Sequence, residues 1–129
     1  MLCDFAEEVN GKLYVMGGGW TRALKQFDSV SFSIAGKLFI PWNDTNRRLA
    51  TQLALFDGDG TPVEVNGERV VVDADLEVGR PAGVLQGTEI DIPLTFRFNN
   101  VPLSAGRYRW DFRVADTHVA EAIFDVIVP

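Results

Sequence analysis

Apolar and polar side chains alternate with a period of two along most of the chain. Phe32, Ile34, Leu38, Ile40 and Trp42 share one parity, with Gly36 on the same parity. Leu49, Thr51, Leu53 and Leu55 form a second run, and Val70, Val72, Ala74, Leu76 and Val78 a third. Ile90, Ile92, Leu94, Phe96 and Phe98 follow, then Tyr108, Trp110, Phe112 and Val114, then Ala120, Ala122, Phe124, Val126 and Val128. Successive side chains of a strand point to opposite faces, so each run reads as a half-buried strand. Phe32, Leu53, Val72, Phe96, Trp110 and Phe124 are expected in one core. Gly36, inside such a run, predicts a bulge or a close backbone approach.

Turn chemistry separates the runs. Asn10-Gly11 and Asn66-Gly67 suit two-residue hairpin turns, in which both central residues take positive φ. Asp57-Gly58-Asp59-Gly60 makes another reversal, and Gly79-Arg80-Pro81-Ala82-Gly83 opens a longer loop. Helix is scarce. One or two turns are predicted over residues 21–27, and a short turn at Asn43–Asn46 with Asn43 or Asp44 as cap. About nine short strands, with turns every ~8–12 residues, predict an all-β fold. The expected architecture is a single antiparallel β-sandwich domain over residues 1–129, immunoglobulin-like or jelly-roll-like, with minimal helix.

Composition narrows the function classes. The chain has 129 residues, 47% hydrophobic and 23% charged, enough for one core without disulfide or metal support. Its formal net charge of −6 repels phosphate backbones and anionic lipid, so neither nucleic acid nor membrane is an expected partner. Cys3 is the lone cysteine, and the first residues lack a basic region followed by an apolar run. The expected location is cytoplasmic.

A set of short motifs recurs in order along the chain. Asp4, Ala6 and Glu7 lead to Gly11-Lys12-Leu13 and Gly17-Gly18-Gly19-Trp20. Pro41-Trp42 with Asn46-Arg47-Arg48 follows, then Asp57 with Asp59-Gly60. Glu77-Val78-Gly79-Arg80-Pro81 with Gly83, Gly87-Thr88, and Pro102-Leu103 with Gly106-Arg107-Tyr108 complete the set. In this the chain resembles a family of small, uncharacterised bacterial proteins classed only as a domain of unknown function. The resemblance implies a β-sandwich and assigns no catalytic or binding residue. Leu103-x-x-Gly106-x-Tyr108 is also similar to the tyrosine corner of immunoglobulin-like sandwiches; the competing reading is that Tyr108 is simply a core aromatic.

No motif supplies a catalytic constellation. Gly17-Gly18-Gly19 lacks both the G-x-G-x-x-G spacing and the Gly-Lys-Ser/Thr end of phosphate loops, and reads as a strand end. Asp57 and Asp59 begin like a calcium loop, but Pro62, Val63 and Val65 stand where oxygen ligands are needed. His118, the single histidine, and Cys3 are too few for zinc. As a nucleophilic pair they would need adjacency that sequence does not reveal. Asp73, Asp75 and Glu77 on one strand, and Arg107, Arg109 and Arg113 on another, read as polar outer faces with cross-strand ion pairs. No enzyme, cofactor or metal is expected.

What stands out is apolar character on outward parities. Ala35 and Phe39, then Ala50, Ala54 and Phe56, occupy positions where a solvated face carries charge. Ile123 and Ile127 add to them near the end of the chain. If the strands are neighbours these residues form a patch, and patches meet partners. The expected function is a non-catalytic interaction or assembly module that self-associates as a homodimer or other homo-oligomer, with an unidentified protein partner also open. Residues 21–27 folding over the face as a lid, Leu24 and Phe27 inward, is the competing explanation of the patch. The alternative function is a small-ligand or carbohydrate-binding sandwich, with Trp20, Trp42 and Arg80 as loop candidates.

Overall fold

The alternation resolves into eleven strands in a computed structural model that describes residues 1–129. In chain order these are β1 (Leu2–Val9), β2 (Lys12–Gly18), β3 (Arg22–Leu24), β4 (Val30–Ile40), β5 (Arg48–Asp57), β6 (Glu64–Val65), β7 (Glu68–Arg69), β8 (Val71–Glu77), β9 (Ile90–Val101), β10 (Gly106–Val114) and β11 (Thr117–Ile127). One sheet runs β2-β1-β4-β9 and the other β3-β11-β10-β5-β8, while β6 and β7 form a small ribbon. The six alternating runs are β4, β5, β8, β9, β10 and β11. All pairings are antiparallel except the short one of β3 with β11.

The inward parities meet between the sheets. Phe32 and Ile34 of β4 pack with Leu53 and Leu55 of β5, Trp110 of β10 and Phe124 of β11, all buried. Val72 and Phe96 pack against this cluster half-buried. Phe32 sits among the rings of Trp20, Phe98, Trp110 and Phe124, with centroids 5.6–6.0 Å away. Each such side chain contributes ~1.5–3 kcal/mol by leaving water. Ile40, Leu49, Val78 and Ile90 form a smaller second cluster.

The turns follow their residues. Asn10 and Gly11, and Asn66 and Gly67, all take positive φ and close two-residue hairpins. Tyr108 is a true corner: its hydroxyl donates to the Ser104 carbonyl at 2.7 Å while its ring stacks on Phe124. Asp57 accepts the N–H groups of Asp59 and Thr61 through Oδ1, which makes its loop a self-satisfied turn.

Five expectations are corrected. Residues 21–27 are not helical. Arg22–Leu24 is a strand that adds to β11, because β11 offers a free edge at Asp125–Ile127 and backbone pairing there outweighs weak local helix propensity. The region 21–27 is also no lid: Leu24 is half-exposed and Phe27 almost fully exposed. The turn near 43 is a 3₁₀ turn over Trp42–Asp44 that starts after Pro41, so neither Asn43 nor Asp44 caps it. Gly36 marks neither a bulge nor a close approach, since it stays in register with Leu94 and a Cβ on it would meet nothing within 4 Å. Finally, β4 and β5 lie in different sheets, so their outward residues do not share a patch.

Candidate functional site

The sandwich is closed unevenly. β1 pairs with β4 only at Leu2 and Cys3, opposite Ile34 and Ser33. Met1 adds one more step, its amino group donating to the Ala35 carbonyl at 2.6 Å and its own carbonyl accepting the Ala35 N–H at 2.9 Å. Beyond that, β4 runs on to Ile40 with β9 on one side and no strand on the other. In the facing sheet β3 reaches β11 only at Asp125–Ile127, so the first half of β11 is an edge as well. Two unpaired half-strands thus face each other across the sandwich.

Between them lies a cleft of about 350 Å³. Its walls are apolar: Leu38, Leu94 and Phe96 on one sheet, Leu53, Trp110 and Phe112 on the other. The inward positions of the two edges are small. Gly36 on β4 and Ala120 and Ala122 on β11 line the opening, where the parity calls for large side chains. This shortage of side-chain volume leaves Leu38, Leu94, Phe96 and Phe112 only half-buried. Lys37 and Glu121 are the charged residues of the lining, one on each edge strand. The indole N–H of Trp110 is buried without a hydrogen-bond partner. The arrangement suits capture of apolar groups; it brings together no nucleophile and base.

The charged residues are used on the outer faces. Asp111, on the outward parity of β10, is 3% exposed. It takes the Arg113 Nε–H at 3.0 Å, bonds the His118 Nδ1, and lies 3.6 Å from Arg109. Arg109 in turn stacks over Phe56 at 4.7 Å. Residue spacing does hold a signal for this cluster, because Arg109, Asp111 and Arg113 share one strand face. On the surface, hydrogen bonding from Lys37 holds the Asp91 carboxyl below its usual range, and Arg107 does the same for Asp125. Burial pushes the Cys3 thiol up, and its S–H points to the Ser33 carbonyl at 3.6 Å. Cys3 bonds Ser33 in one sheet and His118 bonds Asp111 on the other, so neither is the other's partner. No group of three or more His, Cys, Asp or Glu side chains comes together to hold a metal.

The sequence candidates disperse. Phe39 is 57% exposed and lines the cleft on the β4 side. Ala50 is exposed on β5, whereas Ala54 is buried beside Asp111 and Phe56 is half-covered by Arg109. Ile123 and Ile127 are both half-exposed on β11. Of the loop candidates, Trp20 packs edge-on against Phe32 and Phe124 in the core. Arg80 covers the Trp42 ring at 3.8 Å, donates through Nε to Thr45 Oγ1 and through Nη2 to the Trp42 carbonyl. That staple joins the 41–46 and 79–83 segments and leaves no bare aromatic platform.

No helix is long and apolar enough to cross a membrane. No curated protein and no solved structure matches the chain. One family model does match, over residues 1–127, nearly its whole length. The ordered motifs, the all-β sandwich and this match agree, and the chain belongs to DUF6941, a family of unknown function.

Proposed function

We propose that the domain is a non-catalytic interaction module that takes an extended, apolar segment of a partner protein into the cleft between β4 and β11. One observation carries this reading: the cleft is apolar and is bordered by two strand edges with free backbone groups. An incoming strand would pair with such an edge while alternate side chains enter the space beside Gly36, Ala120 and Ala122. Lys37, paired with Asp91, and Glu121, on opposite edges, give the opening a polar rim. The buried, unpaired thiol of Cys3 fits a reducing cytoplasm.

A small apolar ligand is the second reading, favoured by a volume within the range of ligand pockets, ~300–1,000 Å³. It replaces the carbohydrate version, since Trp20 and the Arg80-covered Trp42 offer no open platform. Two probes test both readings. An end-blocked peptide of alternating valine and threonine is titrated against the protein, followed by tryptophan fluorescence and by loss of β4 amide exchange. The dye anilinonaphthalene sulfonate is titrated separately. Peptide protection at residues 36–40 supports the strand reading; dye binding without peptide binding favours the small ligand. If neither probe distinguishes the wild type from a Gly36→Val variant, the cleft is not a binding site.

A further inference from the structure

The four outer edges of the two sheets are guarded unequally. β3 is three residues long. β8 carries Asp73, Asp75 and Glu77, and β9 carries Asp91, Pro93 and Arg97. Short length, charge and proline are the usual devices that stop an edge from pairing with another chain. β2 has none of them along its middle, where Leu13-Tyr14-Val15-Met16 runs uninterrupted up to Gly17.

The backbone of this edge is extended and paired in register over Lys12–Met16. Because Asn10-Gly11 is a two-residue turn, Val9 and Lys12 close the hairpin as a hydrogen-bonded pair. Alternation then directs the N–H and C=O groups of Tyr14 and Met16 toward β1 and those of Leu13 and Val15 away from it, up to Gly17, whose φ of +60° breaks the extended backbone. No strand of this chain lies on that side. Phe5, Tyr14 and Met16 share one face of the hairpin and are 46%, 54% and 66% exposed. Past Cys3 no residue of the hairpin strands is buried, and a two-stranded ribbon alone is marginal in water.

We propose that β2 pairs antiparallel with β2 of a second copy, about a twofold axis at Val15, joining the two four-stranded sheets edge to edge. This register uses the outward groups of Leu13 and Val15. It sets Leu13 against Gly17 of the second copy, a large side chain against none, and Tyr14 against Met16, an aromatic–thioether contact. Two chains of net charge −6 thereby meet along Leu13–Met16, which carry no charge, with the Asp4 carboxylate lying beside Gly17 at the end of the seam. Tyr14 and Met16 flank the seam while Phe5 lies one strand back on an open sheet face, so the side chains and the backbone edge together bury roughly 200–400 Å² per copy. That is below the ~800 Å² per partner of a standard stable interface, so the dimer is reversible and concentration-dependent. The proposal does not depend on the cleft.

Sedimentation of the wild type across micromolar to millimolar concentrations, beside Met16→Lys, is the first test. The wild type is expected to rise from 14.3 kDa toward twice that mass. Met16→Lys, a change at an exposed position, is expected to keep the same circular dichroism and to weaken association at least tenfold. Register is tested by Val15→Cys against Lys12→Cys under mild oxidation. Directly opposed residues of a hydrogen-bonded pair stand ~5.5 Å apart at Cα, within disulfide reach. Val15→Cys is expected to form a covalent dimer far faster. A wild type that stays monomeric throughout, an equally dimeric Met16→Lys, or equal crosslinking of the two cysteine variants overturns the proposal.

Discussion

Replacing Gly36 with valine tests the origin of the cleft and its use in one experiment. Glycine inside a strand ordinarily signals a place where a side chain does not fit. Here a Cβ would meet nothing within 4 Å, and no left-handed backbone angle requires glycine. The substitution therefore removes glycine's excess unfolded-state entropy, worth roughly 0.5–1 kcal/mol. It also places three carbons beside Leu38, Leu94 and Ala122, at ~0.8 kcal/mol for each carbon taken fully out of water. The mouth is open, so about half of that gain is realised, and the sum is roughly 1.5–2.5 kcal/mol. For a chain of this length 1 kcal/mol moves Tm by about 4 °C, so a rise of ~6–10 °C is expected. Urea unfolding should show a higher midpoint with an unchanged slope, because the surface exposed on unfolding barely changes.

The same variant should lose the peptide or dye bound by the wild type. A gain in stability with a loss of binding is what a site left underfilled for a partner produces. A Tm that falls would refute the reasoning at its base, since it would mean that the space beside Gly36 is not free for a side chain. A Tm that rises with binding intact would keep the packing argument and remove the cleft from function.

Three further outcomes are expected. Tyr108→Phe removes the hydroxyl bond to the Ser104 carbonyl and should cost about 1–1.5 kcal/mol in urea unfolding, with the fold intact. Asp111→Ala strips a buried carboxylate from Arg113 and His118; such breaks cost ~3–5 kcal/mol when both partners are buried, and the half-exposed partners here reduce this to about 2–3. A calorimetric loss under 0.5 kcal/mol, on the scale of an ordinary surface change, would contradict that account. For acid stability the sign follows from depressed folded pKa values: Asp91 and Asp125, bonded by Lys37 and Arg107, stabilise the fold above the unfolded carboxylate pKa of ~3.9. That contribution is lost as pH falls through their lower folded values, so an Asp91→Asn/Asp125→Asn variant should lose less stability on acidification than the wild type, and the difference should shrink in high salt.

The alternation alone determined six of the strands, β4, β5 and β8–β11, and most of the core, but not β3. Phe32, Leu53, Trp110 and Phe124 point inward because strand geometry leaves only two faces, and a one-residue shift would bring polar neighbours inside. Asn10-Gly11 and Asn66-Gly67 placed their turns because few residues tolerate positive φ. The corner of Tyr108 was legible for the same local reason, since its partner Ser104 is only four residues away. Strand order was not legible, because nothing local states which strands pair. With β4 and β5 in opposite sheets, Phe39 was separated from Ala50, Ala54 and Phe56, and Ala54 was buried beside Asp111. The cleft was equally hidden. Gly36, Ala120 and Ala122 are unremarkable in their own runs and become an opening only when β4 and β11 face each other. The unguarded edge of β2 likewise exists only because the tertiary arrangement leaves that strand last in its sheet, with half its backbone groups directed away from the rest of the chain.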